Sequence, residues 1–194
     1  MVLVANKIDL FDGDEVSLTN LNRQIIALED TIGLDKVEVT KNRILSINPK
    51  AIVNTYKVFF LESNSHEFDF SNYDYVIDAV DTVSAKLEII RKAKELNIPV
   101  ISSMGTGNKM NPLMLEVCDI SKTSVCPLAK VMRYELRKRN IKNVKVIYSK
   151  EEPLKLVKDI DDVGGKRLVG SSAFVPPVSG YVIASEVIRD FLKD

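Results

Sequence analysis

Apolar residues along this chain fall into two spacings, short continuous runs and repeats of three to four residues, and the two alternate. VLVANKIDLF (residues 2–11) predicts a strand ending at Asp12. SLTNLNRQIIALED (17–30) opens with a capping residue, Ser17 or Thr19, and predicts a short helix. Gly33 resets the chain, and KVEVTKNRILSIN (36–48) spaces Val37, Val39, Ile44 and Ile47 as an amphipathic helix closed by Asn48-Pro49. IVNTYKVFF (52–60) predicts a strand and LESNSHEFDFSNY (61–73) a polar loop. YVIDAV (75–80) is the short buried run of a parallel strand. It is followed by a helix over VSAKLEIIRKAKELN (83–97) and a strand over PVISSM (99–104). Strands are predicted again at LMLEVCDI (113–120) and VKVIYS (144–149). Between them CPLAKVMRYELRKRN (126–140) reads as a helix with Pro127 in its first turn. Residues 151–171 read as a charged, Gly-containing loop, and 173–192 as a loop feeding a final helix. Strands alternating with helices of this length predict an α/β fold, a Rossmann-like, mostly parallel sheet flanked by helices, in a single domain over 1–194.

Composition narrows the class. With 45% hydrophobic and 28% charged residues the chain is an ordinary globular sequence. Its 27 basic and 27 acidic residues cancel, so attraction to nucleic acid must come from a local patch. Two cysteines, Cys118 and Cys126, fit a reducing cytoplasm and exclude a disulfide scaffold. The opening run carries Asn6, Lys7 and Asp9, unlike a signal peptide. The longest apolar tract, 173–188, is broken by Pro176, Pro177, Gly180 and Glu186, so no integral membrane segment is expected.

In an open parallel sheet, ligands sit beyond the carboxyl ends of the strands. Asp12 and Asp81 both fall there. An acid at the end of the second strand of a nucleotide-binding fold commonly accepts hydrogen bonds from ribose hydroxyls, whereas Asp81 suits a metal or phosphate-side role. Alone, each acid reads equally as a helix cap. Arg23 and Lys36 are the candidate phosphate partners, one forked and one a mobile point charge, though each alone reads as a solvated cation. Asn20 and Gln24 read either as ligand contacts or as a cap and a helix surface.

Taken together, DGDEVSLTNLNRQ (12–24) resembles the D-x-D-x-V-x-x-T/S-N-x-x-R-Q signature of the ThiF/MoeB/ubiquitin-activating superfamily. The resemblance continues through GLDKVEVTKNRILSINP, YDYVIDAVDTVSAK and PVISSMGTGNKMNP. DISKTSVCPLAKVMRYELRKRNIKNVKVIYSKEEP and SSAFVPPVSGYVIASEVI are similar to one branch, the tRNA threonylcarbamoyladenosine dehydratases. That resemblance implies adenylation of a carboxylate with ATP and Mg2+, so that a threonylcarbamoyl group on tRNA cyclises. By it, Asp12 holds the ATP ribose, with Asp14 in the same signature. Asn20, Arg23 and Gln24 reach the phosphates, Lys36 neutralises phosphate charge in the transition state, and Asp81 holds Mg2+ or orients the triphosphate. A homodimer is implied as well. A sulfur-carrier or ubiquitin-like protein as the activated partner is the rival expectation, and a non-enzymatic scaffold a third.

Members of this superfamily precede the first acid with a strand, a G-x-G-G-x-G loop and a helix, where backbone amides cradle phosphates. This sequence shows none of these ahead of Asp12, so it resembles a member with the first βα unit missing, and full activity without the loop is not expected. With two cysteines eight apart and His66 in a distant loop, four zinc ligands cannot assemble and no zinc is expected. Cys126 precedes a helix start that would stabilise a thiolate, but it reads first as a small buried residue in a tight turn.

One local asymmetry stands out from the neutral whole. Lys130, Arg133, Arg137, Lys138, Arg139, Lys142 and Lys145 gather with Glu135 as the only acid. A solvated helix face and an RNA-backbone contact both fit such a run. Given the resemblance, Arg133, Arg137, Lys138 and Arg139 are expected on tRNA phosphates. No base-stacking platform is expected, because Tyr134 is the only aromatic of the helix. Lys109, in SMGTGNK, is expected to meet the substrate carboxylate.

Overall fold

The structure is a computed structural model that describes residues 6–154 and 169–193. It divides into two compact units, residues 1–61 and 62–194, each taken here by itself.

In the first unit, β1 (Lys7–Phe11) and β2 (Ile52–Tyr56) form a parallel two-stranded sheet with Lys7 opposite Ile52 and Phe11 opposite Tyr56. Parallel strands cannot be joined by a tight turn, and α1 (Lys36–Ile47) lies in the crossover. The register is reinforced by side chains: Asn54 donates to Asp9 across the ladder at 2.7 Å, and the rings of Phe11 and Tyr56 stack 4.5 Å apart. β2 ends at Tyr56 and does not reach Phe60 as the apolar run suggested.

The helix expected over 17–30 is absent. In its place are two three-residue 3-10 turns, Leu18–Asn20 and Glu29–Thr31. The cause is local competition for backbone hydrogen bonds. Asn20 Oδ1 accepts from the Ser17 amide at 3.0 Å, and the Thr31 hydroxyl accepts from the Leu28 amide at 2.8 Å, so each polar side chain closes its own turn. Leu18, Ile25 and Leu28 of this stretch are exposed.

The second unit holds a four-stranded sheet of order β3 (Val76–Asp78), β4 (Val100–Ser103), β6 (Lys145–Ser149), β5 (Leu115–Asp119). The first three strands are parallel and β5 is antiparallel to β6. Three helices serve it, α2 (Val83–Glu95), α3 (Pro127–Lys138) and α4 (Val175–Phe191). Neighbouring residues of β4 show that helices cover both faces, since successive side chains of a strand point opposite ways. Ile101 packs with Ile147 and with Ile183 of α4, while Ser102 hydrogen-bonds within a buried group that includes Lys86 of α2. α2 buries Ala85, Leu87, Ile89, Ile90 and Ala93, and α3 buries Ala129, Met132 and Leu136. This is the expected α/β arrangement.

Helices α2 and α3 end alike. Asn97 and Asn140 take left-handed backbone (φ 58° and 57°), and the amides of Ile98 and Ile141 reach back to the carbonyls of Ala93 and Leu136 at 2.8 and 2.9 Å. Asparagine stands in both places where glycine is usual. The stretch read as a polar loop contains a 3-10 helix, Glu62–Glu67, tied to α2: Ser65 donates to Glu88 at 2.7 Å, and Lys92 donates to the Phe68 carbonyl at 2.6 Å. Pro176 and Pro177 do not interrupt α4 because they occupy its first turn, where amide hydrogens have no helical partner. Most of the charged loop, 155–168, lies outside the described residues. Among the described residues no helix is long and apolar enough to cross a membrane.

α4 is fastened at its far end through Asp190, which accepts from Lys145 at 2.7 Å and from the Tyr75 hydroxyl at 2.8 Å. Burial pushes the Asp190 carboxyl up, but the hydrogen bonds from Lys145 and Tyr75 outweigh it and hold the group below its ordinary value. A carboxyl depressed by folding stabilises above its unfolded pKa and loses that contribution as pH falls through the folded value. Asp190→Asn should therefore lower stability at pH 7 and flatten the loss of stability below about pH 4. Urea unfolding of both proteins at pH 7 and pH 3 checks this; parallel pH profiles would refute it.

Candidate functional site

In the first unit the chemistry begins at the carboxyl end of β1. Asp12 is the first residue beyond the strand; its amide donates to the Tyr56 carbonyl at 3.2 Å and its Oδ1 accepts the Asp14 amide at 2.8 Å. Gly13 between them lies under the ring of Phe59, and a Cβ there would come within 2.6 Å of it. Residues 14–16 then run antiparallel to 34–36: the Lys36 amide donates to the Asp14 carbonyl at 3.1 Å, and the Val16 amide to the Leu34 carbonyl at 2.9 Å. This ladder, turned by Gly33 at φ 83°, brings together two charges 22 residues apart. Lys36 Nζ lies 2.8 Å from Asp14 Oδ2, with the Lys36 side chain 13% and the Asp14 side chain 55% exposed. Lys57 closes the other flank, 2.6 Å from Asp35 and 3.1 Å from Glu15. Hydrogen bonds to Asp35 and Glu15 push its ammonium pKa up. Nothing in the sequence marked Lys57; only the parallel register of β2 places it there.

Asn20, Arg23 and Gln24 follow on the next turn. Asn20 is buried with its amide oxygen on the Ser17 amide. Arg23 is half-buried and folds back on its own turn, donating to the Thr19 carbonyl at 2.7 Å and to Asn22 Oδ1 at 3.0 Å. The amides of Arg23 and Gln24 both donate to the Asn20 carbonyl, at 3.1 and 2.9 Å. Asp12, Asp14 and Lys36 thus form one hydrogen-bonded group, and Asn20 with Arg23 a second, locally closed one.

In the second unit Asp81 is exposed in the turn between β3 and α2, where the sheet's carboxyl edge was expected to place it. Three residues earlier lies a group that sequence reasoning missed. Asp78, the last residue of β3, is 0% exposed, as is Lys86 of α2. Lys86 Nζ spans both carboxylate oxygens at 3.2 and 3.1 Å, Ser102 donates to Oδ2, and the Val80 amide donates to Oδ1 at 3.2 Å. This sealed group fixes both ends of the turn from which Asp81 projects. Lys109 is also buried: it donates to the Ser149 carbonyl at 2.8 Å, and burial lowers its pKa, partly countered by Cys126, Glu151 and Glu152. Its ammonium supports the strand end under SMGTGNK. Cys126 is buried directly before α3, and His66 is exposed. Among the described residues no three of His, Cys, Asp and Glu gather as a metal cluster.

The basic cluster divides on inspection. Arg133 is half-buried and donates to the Thr123 carbonyl at 2.9 Å and to its hydroxyl. Arg139 pairs with Glu135, and Lys145 with Asp190. Lys130, Arg137 and Lys138 are exposed. A Lys or Arg in a basic run looks the same in sequence whether the fold has used it or not, which is why Arg133 was expected on RNA.

The model of the ThiF family matches residues 4–193. The chain is 42% identical to the tRNA threonylcarbamoyladenosine dehydratase of Bacillus subtilis (strain 168), over 97% of its own length and 78% of that protein. It is 39% identical to the enzyme of the same name from Escherichia coli (strain K12), over 67% of its length and 48% of that relative, so it spans about half of the latter. The crystal structure of E. coli tRNA N6-threonylcarbamoyladenosine dehydratase, TcdA, in complex with ATP superposes with a TM-score of 0.85 at 31% identity. That match covers 97% of this chain and 76% of the other.

The difference between used and unused charge can be measured. Lys86→Ala should destabilise by about 3–5 kcal/mol, because Asp78 stays buried without its cation. Replacing both, as Asp78→Ala with Lys86→Met, should recover most of that loss. Arg133→Ala should cost roughly 1–3 kcal/mol through the lost charged hydrogen bonds, and Arg137→Ala less than about 0.5 kcal/mol. Urea titrations decide this; equal effects at Arg133 and Arg137 would contradict the division.

Proposed function

The chain belongs to the ThiF family, and from that premise we propose that it is an ATP-dependent tRNA-modifying enzyme that dehydrates threonylcarbamoyladenosine to its cyclic form. The observation that carries this reading is the Asp12–Asp14–Lys36 group at the carboxyl end of β1, set by a ladder between residues 14–16 of the ThiF-like signature and residues 34–36. What ATP supplies is AMP for the threonylcarbamoyl carboxylate, so that ring closure by a nitrogen of the same group expels AMP instead of hydroxide.

The protein's part is positioning and charge. Asp12, half-buried and already ordered by an amide, offers its second oxygen to ribose hydroxyls. Lys36 is held at the site by an ion pair open to solvent, so it can exchange Asp14 for phosphate oxygens and offset charge on departing pyrophosphate. Arg23 requires only side-chain rotation off the Thr19 carbonyl to present its fork, with Asn20 and Gln24 beside it. Mg2+ usually takes one or two carboxylates, keeps several waters and shares the substrate's phosphates, so the single exposed carboxylate of Asp81 fits it.

The family match runs across both units, which supports treating them as one ThiF-type domain. A cytoplasmic homodimer belongs to the same proposal; the exposed Leu18, Ile25, Leu28 and Leu34 of the first unit suit an association surface. Incubation with ATP, Mg2+ and tRNA carrying threonylcarbamoyladenosine should yield a nucleoside lighter by one water, with AMP and pyrophosphate. Turnover only with a Gly-Gly-ended carrier protein would favour the sulfur-carrier reading instead. Arg23→Ala and Lys36→Ala should each cut the rate at least about 100-fold while the protein stays folded at the assay temperature, the lost hydrogen bonds costing roughly 1–3 kcal/mol. A variant with full activity would remove that residue from the site.

A further inference from the structure

Helix α3 buries one side and leaves the other unused by the fold. Ala129, Met132 and Leu136 are its buried positions. At 100° per residue, Lys130, Val131, Tyr134, Arg137 and Lys138 share the opposite face, and all five are exposed. Tyr134 is central, with 66% of its surface open, and Val131 beside it is 45% open. Among the described residues the side chains of Lys130, Tyr134, Arg137 and Lys138 have no hydrogen bond, ion pair or ring contact. The helix's only acid, Glu135, is half-buried and occupied by Arg139 on the flank. Exposed Lys142 extends the positive charge past the helix end.

Such a face has two chemistries. Its cations lie one helical turn before and after Tyr134, about 5–6 Å away between Cβ atoms, and suit phosphate oxygens. Its centre is a flat, solvent-facing ring that duplex phosphates cannot use, because paired bases are already stacked on each other. An unpaired base has a free π-face, and aromatic side chains amid basic residues are the usual partners of single-stranded nucleic acid. The sequence suggested a backbone contact with no platform; the placement of Tyr134 within the basic face revises that.

We propose that the exposed face of α3 centred on Tyr134 binds an unpaired nucleotide of single-stranded RNA, with Tyr134 stacking on the base and Lys130, Arg137 and Lys138 taking the flanking phosphates. The proposal deepens the tRNA reading above and rests on it only for the source of the RNA, an unpaired loop.

The test is fluorescence anisotropy with the full chain, a labelled ten-nucleotide oligoadenylate and an RNA duplex of equal length. Tyr134→Ala should weaken single-strand binding about 5- to 100-fold and change duplex binding less than two-fold. Tyr134→Phe should bind as the parent does. Arg137→Ala with Lys138→Ala should weaken both RNAs and reduce the single-strand salt slope by roughly one to one and a half. Unchanged single-strand affinity in Tyr134→Ala, or equal loss on both RNAs, overturns the proposal. So does a shift in oligomeric state without an effect on RNA, which makes the face a protein interface. The dehydration assay separates this from the proposed function: Tyr134-dependent single-strand binding without turnover removes the function and leaves the stacking site, and turnover with unchanged single-strand affinity in Tyr134→Ala removes the stacking site and leaves the function.

Discussion

A carboxylate at the carboxyl end of a parallel strand has to be answered by the segment that follows it, and this chain gives that answer twice. Asp14, just beyond β1, meets Lys36, the first residue of α1. Asp78, the last residue of β3, meets Lys86 of α2. The geometry is alike but the solvent is not. Around Asp78 no water reaches the pair, so separating it would strand a buried charge, and the pair is fixed for the life of the fold. Around Asp14 the carboxylate is more than half open, so the pair separates at small cost and another anion could take Asp14's place on Lys36. One strand end is therefore a sealed structural joint and the other an ion pair open to solvent. The joint also clamps the turn that carries the exposed Asp81.

Elements were legible where local pattern and tertiary demand agreed. β3 and α2 are a short apolar run and a strongly amphipathic repeat, and both formed within a few residues of expectation. Residues 17–30 failed because Asn20 and Thr31 satisfy nearby amides at once, which periodicity does not register. The direction of β5 could not be read at all, since alternation fixes which face a side chain takes and says nothing about which way its neighbour runs.

The site was legible as a motif and only partly as geometry. DGDEVSLTNLNRQ marked the right region, yet the ladder between 14–16 and 34–36 that sets Lys36 on Asp14 has no signature of its own. Lys86 carried no signal in the sequence, since a fully buried lysine is rare and its partner lies eight residues away across a turn. Lys109 was expected at the substrate carboxylate, and its ammonium lies on the Ser149 carbonyl, forty residues on.

The charge on α3 stands apart from the neutral balance of the chain. A fold spends cations where carbonyls and carboxylates need them, and here Arg133 goes to Thr123, Lys145 to Asp190 and Arg139 to Glu135. Lys130, Arg137 and Lys138 are what remains after those demands are met. They sit together on one helical face that packing leaves free, around an aromatic ring that has no role in the core. Among the described residues no carboxylate pairs with these three, so the face carries net positive charge on a chain that is neutral as a whole.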